Sequence, residues 1–200
     1  MTEKNASVNN KNGKLVLILI ALAFIAPLLV AAWMLHIAQR DGVWHSTNHG
    51  TLIQPPRVLR DFLLPTYQSS VFTLANIKGK WSMLYIPSSP LECDAMCKQA
   101  IYHMRQIRLA LGREMPRVQR VLLVGPESVW IEEIAAEYPD MHIVFDFGGA
   151  NSLQQQLVPL QPGIYVLDPL GNAMMVFPPA TDPRDILKDL KKMLRISKVG

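Results

Sequence analysis

The chain has two cysteines in 200 residues, and they stand four positions apart in Cys93-Asp94-Ala95-Met96-Cys97. Thiols at that spacing can act as a disulfide, as a redox dithiol, or as half of a soft-metal site. The choice among the three depends on the elements that hold the pair. Ahead of it, Trp81-Ser82-Met83-Leu84-Tyr85-Ile86 reads as a buried strand entered through Gly79-Lys80 and broken by Pro87-Ser88-Ser89-Pro90. Behind it, Ile101, Met104, Ile107 and Leu111 continue the row from Cys97 at helical spacing, which predicts a helix to about Gly112 with one apolar stripe. A cysteine at a helix start is placed where free N–H groups and the helix dipole favour a thiolate. The neighbouring charges are mixed: Glu92 and Asp94 oppose ionisation and Lys98 favours it. Helical geometry separates Cα atoms four residues apart by about 6 Å, so a bridge is within reach and easier with Cys93 just outside the helix.

The rest of the chain supplies a compartment. From Leu15 to Leu35 no charge occurs, a run of about 31 Å as a helix, which matches the hydrocarbon thickness of a bilayer. Pro27 is tolerated in such a helix. Val30-Ala31-Ala32 offers small residues to a signal peptidase, but the apolar run continues through Trp33, Met34 and Leu35, and Trp33 and Trp44 suit an interfacial belt. Lys4, Lys11 and Lys14 precede the run against Glu3, so the positive-inside rule predicts a cytoplasmic N-terminus and an inner-membrane anchor carrying a periplasmic domain. Disulfides persist in that compartment. From Asp41 onward 16 Lys or Arg stand against 15 Asp or Glu, so little of the formal charge of +4 belongs to the exported part. Arg105, Arg108, Arg113, Arg117 and Arg120 read as a solvated helix face and loop, with no indication of nucleic-acid binding.

Four segments are expected: a polar, unstructured tail (1–14), a transmembrane anchor (15–35), a juxtamembrane tether (36–70) and a folded domain (71–200). The tether holds His45, His49, Pro55, Pro56 and Pro65, with a short strand expected over Arg57 to Phe62. Within the domain, strands are expected over Val71–Leu74, Trp81–Ile86, Val118–Val124, Met141–Phe145, Gly163–Leu167 and Ala173–Phe177. A helix is expected after Glu127 through Trp130, Ile131, Ile134, Ala135 and Tyr138, and a helical turn over Asn151–Leu157. Asp168-Pro169-Leu170-Gly171-Asn172 reads as a hairpin turn. Thr181 or Asp182 with Pro183 starts a last helix whose face is Ile186, Leu187, Leu190, Met193 and Leu194. This order predicts an α/β, thioredoxin-like fold with a central mixed sheet, preceded by one transmembrane helix.

On Phe72-Thr73-Leu74 with Gly79-Lys80, the Cys93 and Cys97 spacing, Pro126-Glu127 after a strand, and Tyr165-Val166-Leu167-Asp168-Pro169-Leu170-Gly171, the chain resembles the Sco/SenC family over Val71 to Ile196. Those membrane-anchored, thioredoxin-fold proteins help to assemble the copper centre of cytochrome c oxidase. The resemblance implies an accessory role in respiratory oxidase biogenesis, with oxidase subunits or assembly factors as partners and copper as a cofactor held at Cys93 and Cys97. Thioredoxin-like sites often place a cis-proline before the strand that faces the cysteines, and similarity to them marks Pro162 and gives a candidate site of Cys93, Cys97 and Pro162. The departures are specific. Asp94 and Lys98 stand where the family has prolines, Gly125 stands for an aspartate, and the loop before Cys93 is about two residues longer. Val158-Pro159-Leu160-Gln161-Pro162-Gly163 lacks the family's metal-binding histidine. Two thiolates suit Cu(I), while the missing nitrogen suits Cu(II), so the oxidised ion is expected to be held poorly. His142 is the first substitute to consider; His103 is turned off the thiol face. Met96, Met174 and Met175 read as core more readily than as thioether ligands. Three functions stay open: oxidase biogenesis through thiol exchange or weak Cu(I) handling, general periplasmic thiol-disulfide oxidoreduction, and docking with the cysteines as a staple. Oligomeric state is not encoded in these motifs.

Overall fold

A computed structural model describes residues 10–40, 48–149, 152–159, 161–197 and 199. Glu3, Lys4, Trp44, His45, Asn151 and Leu160 lie outside the described residues. The chain divides into two units, 1–47 and 48–200. In the first, α1 (Asn10–Arg40) contains an apolar stretch of 25 residues, Gly13–Ile37, with a mean hydropathy of 3.0 and Pro27 inside it. At 1.5 Å per residue that stretch is about 37 Å long, enough to cross a hydrocarbon core of about 30 Å.

The second unit is built on a six-stranded sheet. Its strands are β1 (Thr51–Val58), β4 (Trp81–Ile86), β5 (Val118–Val124), β6 (His142–Phe145), β7 (Gly163–Leu167) and β8 (Asn172–Phe177), in the order β1-β8-β7-β4-β5-β6. A separate pair joins β2 (Leu63–Pro65) to β3 (Val71–Thr73). β4 pairs parallel with β5 and antiparallel with β7, which makes the sheet mixed at its centre. The alternation along β4 divides the core. Trp81, Met83 and Tyr85 face one layer with Ile101, Met104 and Ile107 of α3 (Ala95–Ala110) and Ile186, Leu190 and Leu194 of α6 (Pro183–Ile196). Leu84 and Ile86 face the other, with Phe62, Phe72 and Leu153. Each fully buried aliphatic on these faces stabilises the fold by about 1.5–3 kcal/mol relative to exposure.

Three local expectations are revised. The 36–70 segment is more than a tether, because Thr51–Val58 forms an edge strand on β8 and Leu63–Pro65 pairs with β3. Pro55 and Pro56 make this run read as loop, yet proline is compatible with an edge strand, and the register shifts between Leu52 and Arg57. The strand expected to reach Leu74 ends at Thr73, where Asn76 accepts from the Thr73 N–H (2.8 Å) and starts the short α2 (Leu74–Ile77). The third concerns Arg120. It is 1% exposed, on the same face of β5 as Val118 and Leu122, and so does not belong to a solvated loop.

The domain's entry is fastened by Asp189 of α6, 3% exposed. Its carboxylate accepts from the backbone N–H groups of His49 (2.6 Å) and Gly50 (3.0 Å) and also meets the His49 ring (3.1 Å). Gly50 has no room for a side chain there, since a Cβ would lie 2.5 Å from the Met175 sulfur.

Candidate functional site: the disulfide between strand and helix

Asp94 decides where α3 begins. Its extended backbone stops the helix, and its Oδ1 accepts from the Cys97 N–H at 2.8 Å, the N-cap arrangement that pairs one orphan amide of the first turn. Cys93 therefore lies just outside the helix and Cys97 at its third position. Their Cα atoms are 5.1 Å apart and the two sulfurs are joined in a disulfide, shorter than an ideal helix would give and inside the usual range for a bridge. Cys97 is 3% exposed among Ala100, Ile101 and Met104, while Cys93 is half-buried at the edge of the same cluster. Cys93 keeps partial access to solvent, and Cys97 is anchored in the core.

The loop carrying Cys93 is held from two sides. The Leu91 N–H donates to the Ser89 hydroxyl (3.2 Å), and the Pro90 carbonyl accepts from the Ser128 hydroxyl (2.8 Å) and the Trp130 indole N–H (3.2 Å). Ser128 and Trp130 precede α4 (Ile131–Glu137), so the β5–α4 connection braces the cysteine loop. Beneath it, burial chiefly, with the Asp94 charge in support, pushes the Tyr85 phenol up to about 12. Lys98 is not free to stabilise a thiolate: its ammonium is paired with Glu133 at 2.8 Å.

Pro162 precedes β7, whose Gly163 pairs with Ile86 at the end of β4. Together with Pro87, Pro90, Gly125, Pro126 and Phe147 it lines a cleft of about 550 Å³. The expectation of a cis bond at Pro162 is corrected. The cis peptides among the described residues are Gln54-Pro55 and Val158-Pro159, so Gln161-Pro162 is trans. Gly163 explains the local geometry: its φ of +147° suits glycine, and a Cβ would stand 2.2 Å from the Phe177 carbonyl oxygen.

The metal expectation meets a limited donor set. His142 opens β6 opposite Val121, towards the strand ends away from the cysteine loop, with its ring against Phe72 (centroids 5.5 Å). Partial removal from water, with Lys80 nearby, holds its imidazolium below the usual histidine range. His103 lies beside Tyr102 on α3, and His49 is held by Asp189. Met96 is 45% exposed and Met175 is core. Among the described residues no three or more His, Cys, Asp or Glu are grouped so as to hold a metal ion. What remains at the site is a sulfur pair, which does not fit a resident copper centre with a nitrogen ligand.

The cysteine pair and its flanking elements were readable from spacing. In the sequence Asp94 reads only as a charge and its role as a cap is missed, although an Asp just before an apolar-periodic run is the signal for one. The braces from Ser128 and Trp130 and the pairing of Lys98 with Glu133 carry no local signal, because each joins residues at least 35 positions apart.

No curated protein sequence matches the chain. Solved structures do match in fold. Arabidopsis thaliana ScoI with copper bound is 16% identical, with a TM-score of 0.58 over 70% of this chain and 99% of that one. BsSco, described as a member of the Sco family of cytochrome c oxidase assembly proteins with a disulfide switch, is 14% identical, with a TM-score of 0.53 over 72% and 96%. A putative protein disulfide isomerase from Bacteroides thetaiotaomicron is 13% identical, with a TM-score of 0.53 over 74% and 95%. Such identities establish a shared thioredoxin-like fold. The model of the transmembrane-like, thioredoxin-like C-terminal domain matches residues 81–197, more than half of the sequence, and the chain belongs to that family.

Proposed function

We propose that the protein is a membrane-anchored thiol-disulfide exchange factor acting through Cys93 and Cys97 in the biogenesis of respiratory cytochrome c oxidase. The observation that carries the exchange is the asymmetry of the bridge, with Cys93 half-buried in a braced loop and Cys97 buried in the first turn of α3. In the reduced pair, the Cys93 thiolate attacks a partner disulfide, forms a mixed disulfide and releases one partner thiolate, which takes up a proton. The Cys97 thiol then loses its proton and attacks the Cys93 sulfur, closing the bridge and releasing the second partner thiol. Two electrons pass to the partner, and the reverse sequence reduces the bridge. With a trans bond at Gln161-Pro162, Pro162 drops out of the reacting set and remains a lining residue of the cleft beside the loop.

The anchor supports a periplasmic setting, with orientation argued from Lys4, Lys11 and Lys14. The oxidase role is inferred from the likeness to BsSco, a member of a family of cytochrome c oxidase assembly proteins. Copper enters as cargo, and the donors offered to it are two thiolates after reduction, a set suited to Cu(I).

The test has two arms. The reduced full chain in detergent micelles is mixed with a peptide disulfide and the mixed disulfide is trapped on Cys93→Ser and Cys97→Ser backgrounds. A trapped adduct through Cys93 in Cys97→Ser is expected; no adduct in either variant would sink the exchange. A deletion strain is then assayed for oxidase activity at limiting copper, and normal activity would remove the oxidase assignment while leaving general exchange in place.

A further inference from the structure

Away from the disulfide, three arginines converge on one cavity of about 260 Å³ between the second half of α3, the start of β5 and the turn into β6, lined by Arg105, Arg108, Arg120, Leu109, Glu137 and Asp140. Arg120 is the unusual member. Its side chain is 1% exposed, its Nη2 donates to the Asp140 carboxylate, and its Nε and Nη1 groups have no hydrogen-bond partner. Those two nitrogens carry three N–H bonds without an acceptor, and both are closed to solvent, which is costly for a buried guanidinium.

The cavity's own carboxylates do not supply that acceptor. Asp140 is shared, accepting also from Arg108 Nη1 at 3.1 Å, while Arg108 Nε donates to the Val118 carbonyl at 2.6 Å. Glu137 lies by the Tyr138 phenol, which burial and this carboxylate together hold above its usual range. The Tyr138 ring has two guanidiniums over it, Arg105 at 5.9 Å and Arg120 at 5.7 Å. Arg105 has no carboxylate partner among the described residues. Three cations thus face two carboxylates, with one positive charge unmatched. At a liquid share of about 30 Å³ per water, the space accommodates a small anion together with several waters.

The geometry points to an oxyanion-binding site at Arg105, Arg108 and Arg120, taking a phosphate-class group whose oxygens accept from the exposed Arg105 guanidinium and whose charge offsets the buried Arg120 cation. Guanidinium recognises such oxygens in a fixed, forked geometry. The source is either free phosphate or the phosphate of a lipid headgroup, and the chemistry is the same for both.

The full chain in neutral detergent is titrated with sodium phosphate at fixed ionic strength, with sodium chloride as control, and unfolding is followed by temperature. A second arm compares nanodiscs of phosphatidylcholine with and without phosphatidylglycerol. A saturable rise in Tm with phosphate assigns the site to a soluble anion; a rise with phosphatidylglycerol alone assigns it to a headgroup. Arg105→Gln, an exposed helix position, is expected to stay folded and to weaken the response about fivefold. Arg120→Met should abolish it, and Arg105→Gln keeps the test decisive if that variant fails to fold. No saturable shift in either arm, or a shift unchanged in Arg105→Gln, overturns the site.

Discussion

Replacing Asp94 by Asn separates its two effects on the cysteines. Asn still caps α3, accepting from the Cys97 N–H now held at 2.8 Å, but it removes the negative charge. Cys93, the more accessible of the two and the residue next to Asp94, is the thiol that alkylation reads, and a separation on the order of 5 Å between its sulfur and the carboxylate follows from adjacent backbone geometry. At an effective dielectric constant of about 40–80, Coulomb's law gives roughly 0.8–1.7 kcal/mol opposing a thiolate. Removing about 1 kcal/mol raises the thiolate population roughly fivefold. A less basic thiolate is also a weaker nucleophile, and a Brønsted coefficient of about 0.4–0.5 takes back about half of the logarithmic gain. The net expectation for Asp94→Asn is a two- to threefold faster alkylation of the reduced protein by iodoacetamide at pH 7, with its pH profile moved to lower pH. Asp94→Ala also removes the charge, and it costs about 1 kcal/mol of stability through the lost cap. An alkylation rate in Asp94→Asn equal to or below that of the wild type would show that this carboxylate does not set the ionisation of the pair.

The other expectations are simpler to state. The double variant Cys93→Ser/Cys97→Ser should fold and lose exchange; closing so short a loop contributes about 2 kcal/mol, seen as a Tm about 4–8 °C lower by calorimetry, and an unfolded variant would favour the staple reading. Both backbone N–H groups share Asp189 Oδ2, so Asp189→Asn can keep them through its carbonyl oxygen, whereas Asp189→Ala leaves both unpaired and should lower the urea stability by about 1–3 kcal/mol; a change within 0.5 kcal/mol in Asp189→Ala would argue against the clamp at the domain's entry. Because His142 is held below its unfolded value of about 6.5, the unfolded chain binds more protons between that value and the lower folded one. Its contribution is complete above pH 6.5 and declines on acidification through that window, so His142→Gln should flatten the fall of the urea midpoint between about pH 7 and 5. Anaerobic titration against chelators should find Cu(I) bound only after reduction; a one-to-one Cu(II) complex lost in either cysteine variant would require a nitrogen ligand that the donor set does not contain.

Much of the fold was legible because its signals are local. Cys97, Ile101, Met104 and Ile107 fall on one stripe, Asp182 and Pro183 mark the start of α6, and six consecutive buried residues make β4 a central strand. β1 was missed because the same prolines that end a helix or a central strand are admissible at a sheet edge, and only pairing with β8 distinguishes the two. Arg120 was misplaced for a related reason. A charge among clustered arginines reads as solvated, although the alternation from Val118 to Leu122 already put it on the inner face.

At the site, residue types were legible and their electrostatic state was not. Sequence placed Lys98 and Asp94 on opposite sides of the thiolate question with equal weight. In the fold Lys98 turns to Glu133 and Asp94 turns onto the N–H of Cys97, so the cation leaves the pair and the anion stays. The helix N-terminus that would favour a Cys93 thiolate is thereby partly occupied by a fixed carboxylate. An exposed ion pair such as Lys98–Glu133 is worth at most about 1 kcal/mol, comparable with the Asp94 effect, so which partner each charge finds decides the sign of the net field at the cysteines. That choice is made by α4, brought against the cysteine loop through Ser128 and Trp130. The charges around the pair thus depend in part on an element more than thirty residues away, which a reading confined to the residues around Cys93 and Cys97 does not supply.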